Sequence, residues 1–242
     1  MDDVTPNIKM AVKDADLVVI SVPVAASGSV AEKIGPHLKS GAIITDTGSV
    51  KEAVIKAVTP YLPKTVHFVP GHPIAGTENS GPDAGFASLF EGRWCVLTPP
   101  KETDTTAVNK VIQFWERAGS RVDTMSAEHH DMILAITSHI PHLIAFNIVG
   151  TVSDLEDDTK MEVVKYAASG FRDFTRIAAS DPEMWRDVFM ENREAVLEML
   201  GRFAEDLSAL QRAIRRGDAV SLEAKFKRTR DLRRDVIEAK QA

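Results

Sequence analysis

The chain has 242 residues, 44% of them apolar, and a formal net charge of −6. That length suits one or two domains with a proper core, and scattered basic residues exclude a nucleic-acid groove. One cysteine, Cys95, excludes a disulfide within the chain. It lies in an apolar run and reads as a small packed hydrophobe, in keeping with a reducing cytoplasm. The polar, acidic first ten residues are no signal peptide, and no run approaches the ~18 apolar residues of a membrane span.

A helical stretch runs to about Lys13. Leu17 to Val22 then reads as a fully buried parallel strand, because five of its six residues are apolar. Val24 to Leu38 reads as a helix stopped by Gly41. Ala42 to Asp46 is a second buried strand, and Thr47-Gly48-Ser49 turns into a helix over Val50 to Tyr61. Ser49 sits at that helix start, where a hydroxyl can cap the helix or reach a ligand. Val66 to Val69 is a third strand. This order of strands and helices with short connections predicts a parallel sheet with right-handed crossovers.

Pro70 to Gly85, with its glycines and prolines, reads as a loop. It places His72 just past a strand end, and ligands bind at such an edge of an open α/β sheet. Histidine is also the side chain suited to moving a proton near neutral pH. Ser21-Val22-Pro23 and Asp46-Thr47-Gly48-Ser49 end strands at the same edge. Trp94 to Thr98 and Arg121 to Met125 are further strands around a helix over Ala107 to Ala118.

After Ser126 no strand candidate recurs, so the domain boundary falls there: 1–126 α/β, 127–242 all-α. Ala127 to Val152 is one helix kinked at Pro141. Glu162 to Ala179, Pro182 to Arg202, Ala204 to Arg216 and Val220 to Ala239 are the other helices. Asp181 and Pro182 form a good helix start. Few long helices cannot bury both faces alone, so the helical half is expected to dimerise. The basic cluster from Lys225 to Arg234, interleaved with Asp231 and Asp235, reads as a solvated face.

In that half, Ser138-His139-Ile140-Pro141-His142 puts two histidines three apart at the kink. Glu128, His129, His130 and Asp131 lie one to three turns away, which makes convergence on one metal ion awkward, so no metal is expected. A polar cluster facing a crevice between the domains is the better reading. Arg172 and Arg176 are four apart beside Asp173. Such an arginine can grip a carboxylate with two prongs or make a surface salt bridge.

Together these stretches, with Gly71-His72-Pro73-Ile74-Ala75-Gly76-Thr77-Glu78 and Gly170 to Ala178, resemble the prephenate/arogenate (cyclohexadienyl) dehydrogenases of tyrosine biosynthesis. The match runs in the family's order from Ala15 to near Leu200. The resemblance implies NAD- or NADP-dependent oxidative decarboxylation of prephenate to 4-hydroxyphenylpyruvate, or of arogenate to tyrosine. It implies that His72 takes the substrate hydroxyl's proton, with Ser49 near both it and the nicotinamide. Thr77, Ser138, His139, His142, Arg176 and Trp185 match positions around the substrate. Ser21, Pro23, Asp46, Thr47 and Ser49 match the cofactor loops. The fold implied is a partial Rossmann-like parallel sheet followed by a helical dimerisation domain, in a cytoplasmic homodimer.

The sheet is read as partial because no G-x-G-x-x-G precedes a helix. The family's first strand, Gly-rich turn and helix, roughly 30 residues or more, are not matched. A second reading, of another class, is therefore a truncated non-catalytic remnant that binds substrate or only dimerises. A β-hydroxyacid type of dehydrogenase would need a catalytic lysine in the helical half, and the setting of Lys165 does not match.

Overall fold

Residues 3–76 and 81–238 are described by the structure, a computed structural model. A short helix, α1 (Ile8–Val12), is capped by Asn7, whose side chain accepts from the Lys9 and Met10 amides. Strands β1 (Leu17–Ile20), β2 (Ile43–Asp46) and β3 (His67–Phe68) form a parallel sheet in that order. Ile20 pairs with Asp46 and Ile44 with Phe68. The crossovers are α2 (Ser27–Ile34), between two 3-10 turns, and α3 (Lys51–Val58), followed by one. β2 is buried along its whole length, as a central strand should be. β1 is not the fully buried strand expected: it lies at the sheet edge, and Val19 is exposed.

The next part departs from a single sheet. Pro70 ends β3, and the chain forms β4 (Gly71–Pro73), where a loop was expected. β4 runs antiparallel to β5 (Trp94–Leu97), with His72 opposite Val96. β5 in turn runs parallel to β6 (Arg121–Thr124), through α4 (Thr105–Arg117). The glycine and proline that argued against a strand are tolerated because β4 is an edge strand, paired on one side only. His72 is thus held on a strand rather than in a loop.

Two apolar clusters follow from helical spacing. Ala107, Val111 and Trp115, four apart on α4, pack on Ile43, Val69, Cys95 and Leu97. Cys95 is buried there as expected, and burial pushes its thiol up to about 12. The other cluster joins Ile20, Val24, Ile34, Ile44, Val54 and Val58 with Trp185 and Val188.

No strand follows β6 among the described residues. The expected single kinked helix is α5 (Ala127–Leu134), a π turn over Ala135–His139 and α6 (Ile140–Ser153). By length and composition this 27-residue run is apolar enough to cross a membrane, against the sequence expectation, though it carries buried His130, Asp131 and His139. Then come α7 (Asp157–Tyr166) and α8 (Ser169–Thr175), where one helix was expected; the chain is extended at Ala168 between them. α9 (Pro182–Glu191) starts as expected, with Asp181 accepting from the Met184 amide. Asn192 separates it from α10 (Arg193–Arg216).

By compactness the chain divides into Met1–Val196 and Leu197–Ala242. Trp185 and Val188 in the α/β core explain why the first unit extends past Ser126. The second unit holds the rest of α10 and α11 (Ala219–Glu238). Its turn uses Gly217 at φ 65°, a left-handed position that suits glycine. Lys225 donates to Asp206 at 2.7 Å, and Lys227, Arg230 and Arg234 pair with acids on their own helix, which fits a solvated basic face.

Gly35 sets how closely α2 approaches the turn after α3. A Cβ there would lie 2.1 Å from the Tyr61 carbonyl oxygen, a backbone atom that cannot step aside. Gly35→Ala is expected to cost about 1–3 kcal/mol, the range for forced overpacking. Urea unfolding reads this directly; an unchanged midpoint would refute the close approach.

Candidate active site

The site is built on a buried ion pair. Lys51 opens α3 and lies on its inner face with Val54 and Val58. Its ammonium contacts the Asp46 carboxylate at the end of β2 and donates to the Gly71 carbonyl at 2.6 Å. Asp46 also accepts from the Gly71 amide at 3.1 Å and the Gly48 amide at 2.8 Å. The two ends of the Gly71 unit, beside His72, are therefore both held. Burial lowers the Lys51 pKa, and the Asp46 charge opposes that shift.

His72 makes the next link. Its Nδ1 lies 2.8 Å from His130 Nε2, and His130 Nδ1 lies 2.7 Å from Asp131 Oδ1. Asp131 Oδ1 also accepts from the Lys51 amide at 2.8 Å, and Oδ2 from the Glu52 amide at 2.9 Å. These amides are unpaired donors at the start of α3. Val50, the residue at the cap position, supplies no side-chain bond, so Asp131 from α5 does the capping. Ser49 does not cap the helix and has no side-chain hydrogen bond among the described residues. Burial first, then His130, Lys51 and His139, hold the His72 imidazole well below its ordinary range. It is neutral near pH 7 and able to accept a proton.

The π turn sets the third group. A proline in a plain α-helix clashes with the carbonyl four residues back. The wider turn before Pro141, closed by the Ile140 amide on the Ala135 carbonyl, accommodates it. His142 Nδ1–H donates to the Ser138 carbonyl at 2.8 Å, and the ring stacks on Trp185 at 3.6 Å between centroids. Asn192 Nδ2 donates to His139 Nδ1 at 3.0 Å and to the Asp131 carbonyl at 2.9 Å. That leaves His139 Nε2 and Trp185 Nε1 buried without partners among the described residues. Burial pushes His139 down to about 4 and also lowers His142, which the charge of Arg176 lowers further.

The sequence-derived residues thus converge in part. His72, His139, His142 and Trp185 form one polar core, while Arg176 opens an exposed 3-10 turn after α8. Ser21 and Thr47 end adjacent strands, with their hydroxyls 3.1 Å apart. Pro23 is exposed beside them. Asp46 does not line a surface: its carboxylate is 1% exposed and committed to Lys51, Gly48 and Gly71. Thr77 lies outside the described residues. His130, Asp131, Lys51 and Asn192 were missed as site residues. The adjacent His-Asp pair was legible, but only its partner across the fold gives it meaning.

The hydroxyls of Ser21, Thr47 and Ser49 at the C-terminal edge of parallel strands suit the sugar and amide groups of a dinucleotide. Neutral hydroxyls of this kind are not a metal-binding set.

These histidines tie stability to pH. His139 has a folded pKa of about 4 against an ordinary 6.5. Its contribution is whole above pH 6.5. As pH falls from there toward 4, the unfolded chain takes up a proton that the folded chain refuses, and stability drops. The loss is of order 3 kcal/mol for this residue. Urea midpoints should fall over this window, and His139→Asn should flatten the slope. Parallel slopes would show that His139 is not buried neutral.

Comparisons with known proteins agree with this geometry. Residues 1–124 match the family model for the prephenate dehydrogenase nucleotide-binding domain, and residues 126–228 the model for its dimerization domain. The cyclohexadienyl dehydrogenase of Zymomonas mobilis is 47% identical over 232 residues, covering 96% of this chain and 79% of that one. The prephenate dehydrogenase of Bacillus subtilis is 33% identical, covering 96% of this chain and 63% of its own length. The crystal structure of prephenate dehydrogenase from Aquifex aeolicus, in complex with hydroxyphenyl propionate and NAD+, superposes with a TM-score of 0.90 at 37% identity. It is covered to 82% by 98% of this chain. The chain belongs to the prephenate dehydrogenase family.

Proposed function

We propose that the chain catalyses NAD(P)-dependent oxidative decarboxylation of prephenate, of arogenate, or of both. One observation carries the reading: a neutral histidine, His72, is tethered through Nδ1 and has no hydrogen-bond partner at Nε2 among the described residues. It stands by the sheet edge where Thr47 and Ser49 follow β2.

A bound nicotinamide, held by Ser21, Pro23, Thr47 and Ser49, supplies the hydride acceptor. His72 Nε2 takes the proton of the substrate's ring hydroxyl as the C–H bond breaks, because negative charge builds on that oxygen. Loss of the ring carboxylate as CO2 makes the ring aromatic and returns electrons to the same oxygen. His72 then gives the proton back, and the product is a phenol. His139 Nε2–H and Trp185 Nε1–H are buried donors that fit a carboxylate or carbonyl of the substrate. Thr77, Ser138, His142 and Arg176 complete its surroundings, with Arg176 gripping a carboxylate.

Residues 1–126 are read as the cofactor half and 127–242 as the substrate and dimerisation half. A homodimer through the helices is supported by exposed apolar residues: Ile136, Ile148 and Val149 in the first unit, Leu207, Ile214 and Phe226 in the second.

Calorimetric titration with NAD+ and NADP+, then assay of reduced nicotinamide with prephenate and with arogenate, tests the reading. Binding and turnover are expected; a folded protein that binds neither cofactor overturns it. In the active protein His72→Asn should lower kcat about 10²- to 10⁴-fold while leaving substrate Kd nearly unchanged. An unaltered kcat would remove His72 from the chemistry.

A further inference from the structure

We infer that Asp131 is a positioning residue: acting through His130, it fixes the ring form of His72 in which Nδ1 carries the proton and Nε2 is the open base. The inference rests on the proposed role of His72. Asp131 is 2% exposed, and among the described residues its carboxylate oxygens meet the Lys51 and Glu52 amides and His130 Nδ1. Two of these, the Lys51 and Glu52 amides, cannot change roles. The start of a helix also favours a negative charge. The carboxylate is therefore an acceptor toward the third neighbour, and His130 carries its proton on Nδ1.

The rest follows by exclusion. We take the buried His130 ring to carry a single proton, the one on Nδ1, which leaves a lone pair on Nε2. The 2.8 Å contact then requires His72 to donate from Nδ1. A neutral ring with a proton on Nδ1 has its lone pair on Nε2. The direction of every bond is thus set at the α3 terminus and carried to the reacting nitrogen. When Nε2 takes a proton, the imidazolium finds an acceptor at His130 backed by a fixed carboxylate. Without Asp131, His130 can turn its proton to Nε2, and His72 Nε2 becomes a donor that cannot accept.

Lys51 closes this chain into a ring. Its amide binds Asp131, its ammonium binds the Gly71 carbonyl, and Gly71 precedes His72. One residue thus holds His72 from the backbone side and orients its side chain from the other.

The test is ring-nitrogen NMR on the 15N-histidine-labelled full chain, with the His72 signals assigned by their loss in His72→Asn. The expected wild-type spectrum shows His72 protonated at Nδ1 and bare at Nε2. A proton on Nε2 overturns the inference, and this measurement does not depend on turnover. Kinetics add a second arm. Asp131→Ala should lower kcat on the order of 10²-fold or more with little change in KM, as loss of an orienting carboxylate does in catalytic triads. In a His130→Gln background, where the amide has no ring form to set, the same change should cost far less. Equal losses in the two backgrounds would reduce Asp131 to a helix cap. A correct His72 ring form with an unaltered rate in His72→Asn would sink the proposed function and leave the relay standing.

Discussion

The structure depends on the buried contact between Lys51 and Asp46. Taking two charges out of water costs several kcal/mol per ion, and attraction repays it only with good geometry and further hydrogen bonds. Here the further bonds are present. Asp46 receives two amides besides Lys51, and Lys51 reaches a carbonyl besides Asp46. An apolar pair of equal volume could fill the same space. It could not hold the Gly71 peptide, through which the chain leaves the parallel sheet and enters the second one. The pair therefore acts less as a source of stability than as a register pin at that crossing.

The helical part solves a second problem, which is to aim polar side chains inward from an apolar helix. A regular helix through Ala127–Ser153 would carry the Pro141 clash. The π turn removes it by inserting one residue into the ladder, which rotates everything beyond relative to α5. His139 is turned into the core against Asn192, and His142 onto the face of Trp185. Asn192 fastens the result from outside, because it sits at the break between α9 and α10 with an amide free to bond across.

Much of this was legible from residues alone. Hydrophobic runs and turn residues located β1, β2, β3 and their crossovers, and helical spacing located α4, α11 and the start of α9, whose end falls at Glu191 rather than Arg202. His72 stood out because proline and glycine surround it. The strand it lies on did not, since Gly-His-Pro has no strand propensity and pairs only because β5 is beside it. The capping role given to Ser49 failed for a related reason. Its hydroxyl is at the right place in sequence, but Asp131, eighty residues away from Lys51, brings a charge to the same amides. Local rules identify a helix start; they cannot identify a cap supplied by another helix. The pairing of Lys51 with Asp46 was likewise hidden, because a lysine in a first turn reads as solvated until a buried carboxylate is found facing it.

His72, His139 and His142 share one region, and each is harder to charge there than in water. Burial is the largest cause at all three, and neighbouring histidines add to it at His72 and His139. A cluster of this kind cannot hold several protons at once, so a proton arriving at one ring raises the cost for the next. The proposed reaction, in which His72 holds one proton briefly and releases it to the same oxygen, would benefit from that mutual exclusion. A low affinity at His72 makes the return step easy, while the acceptor chain behind it keeps the first step from being prohibitive. The same burial that lowers acid stability thus sets the proton balance the proposed chemistry would need, and the two effects cannot be separated by changing the surroundings of His72 alone.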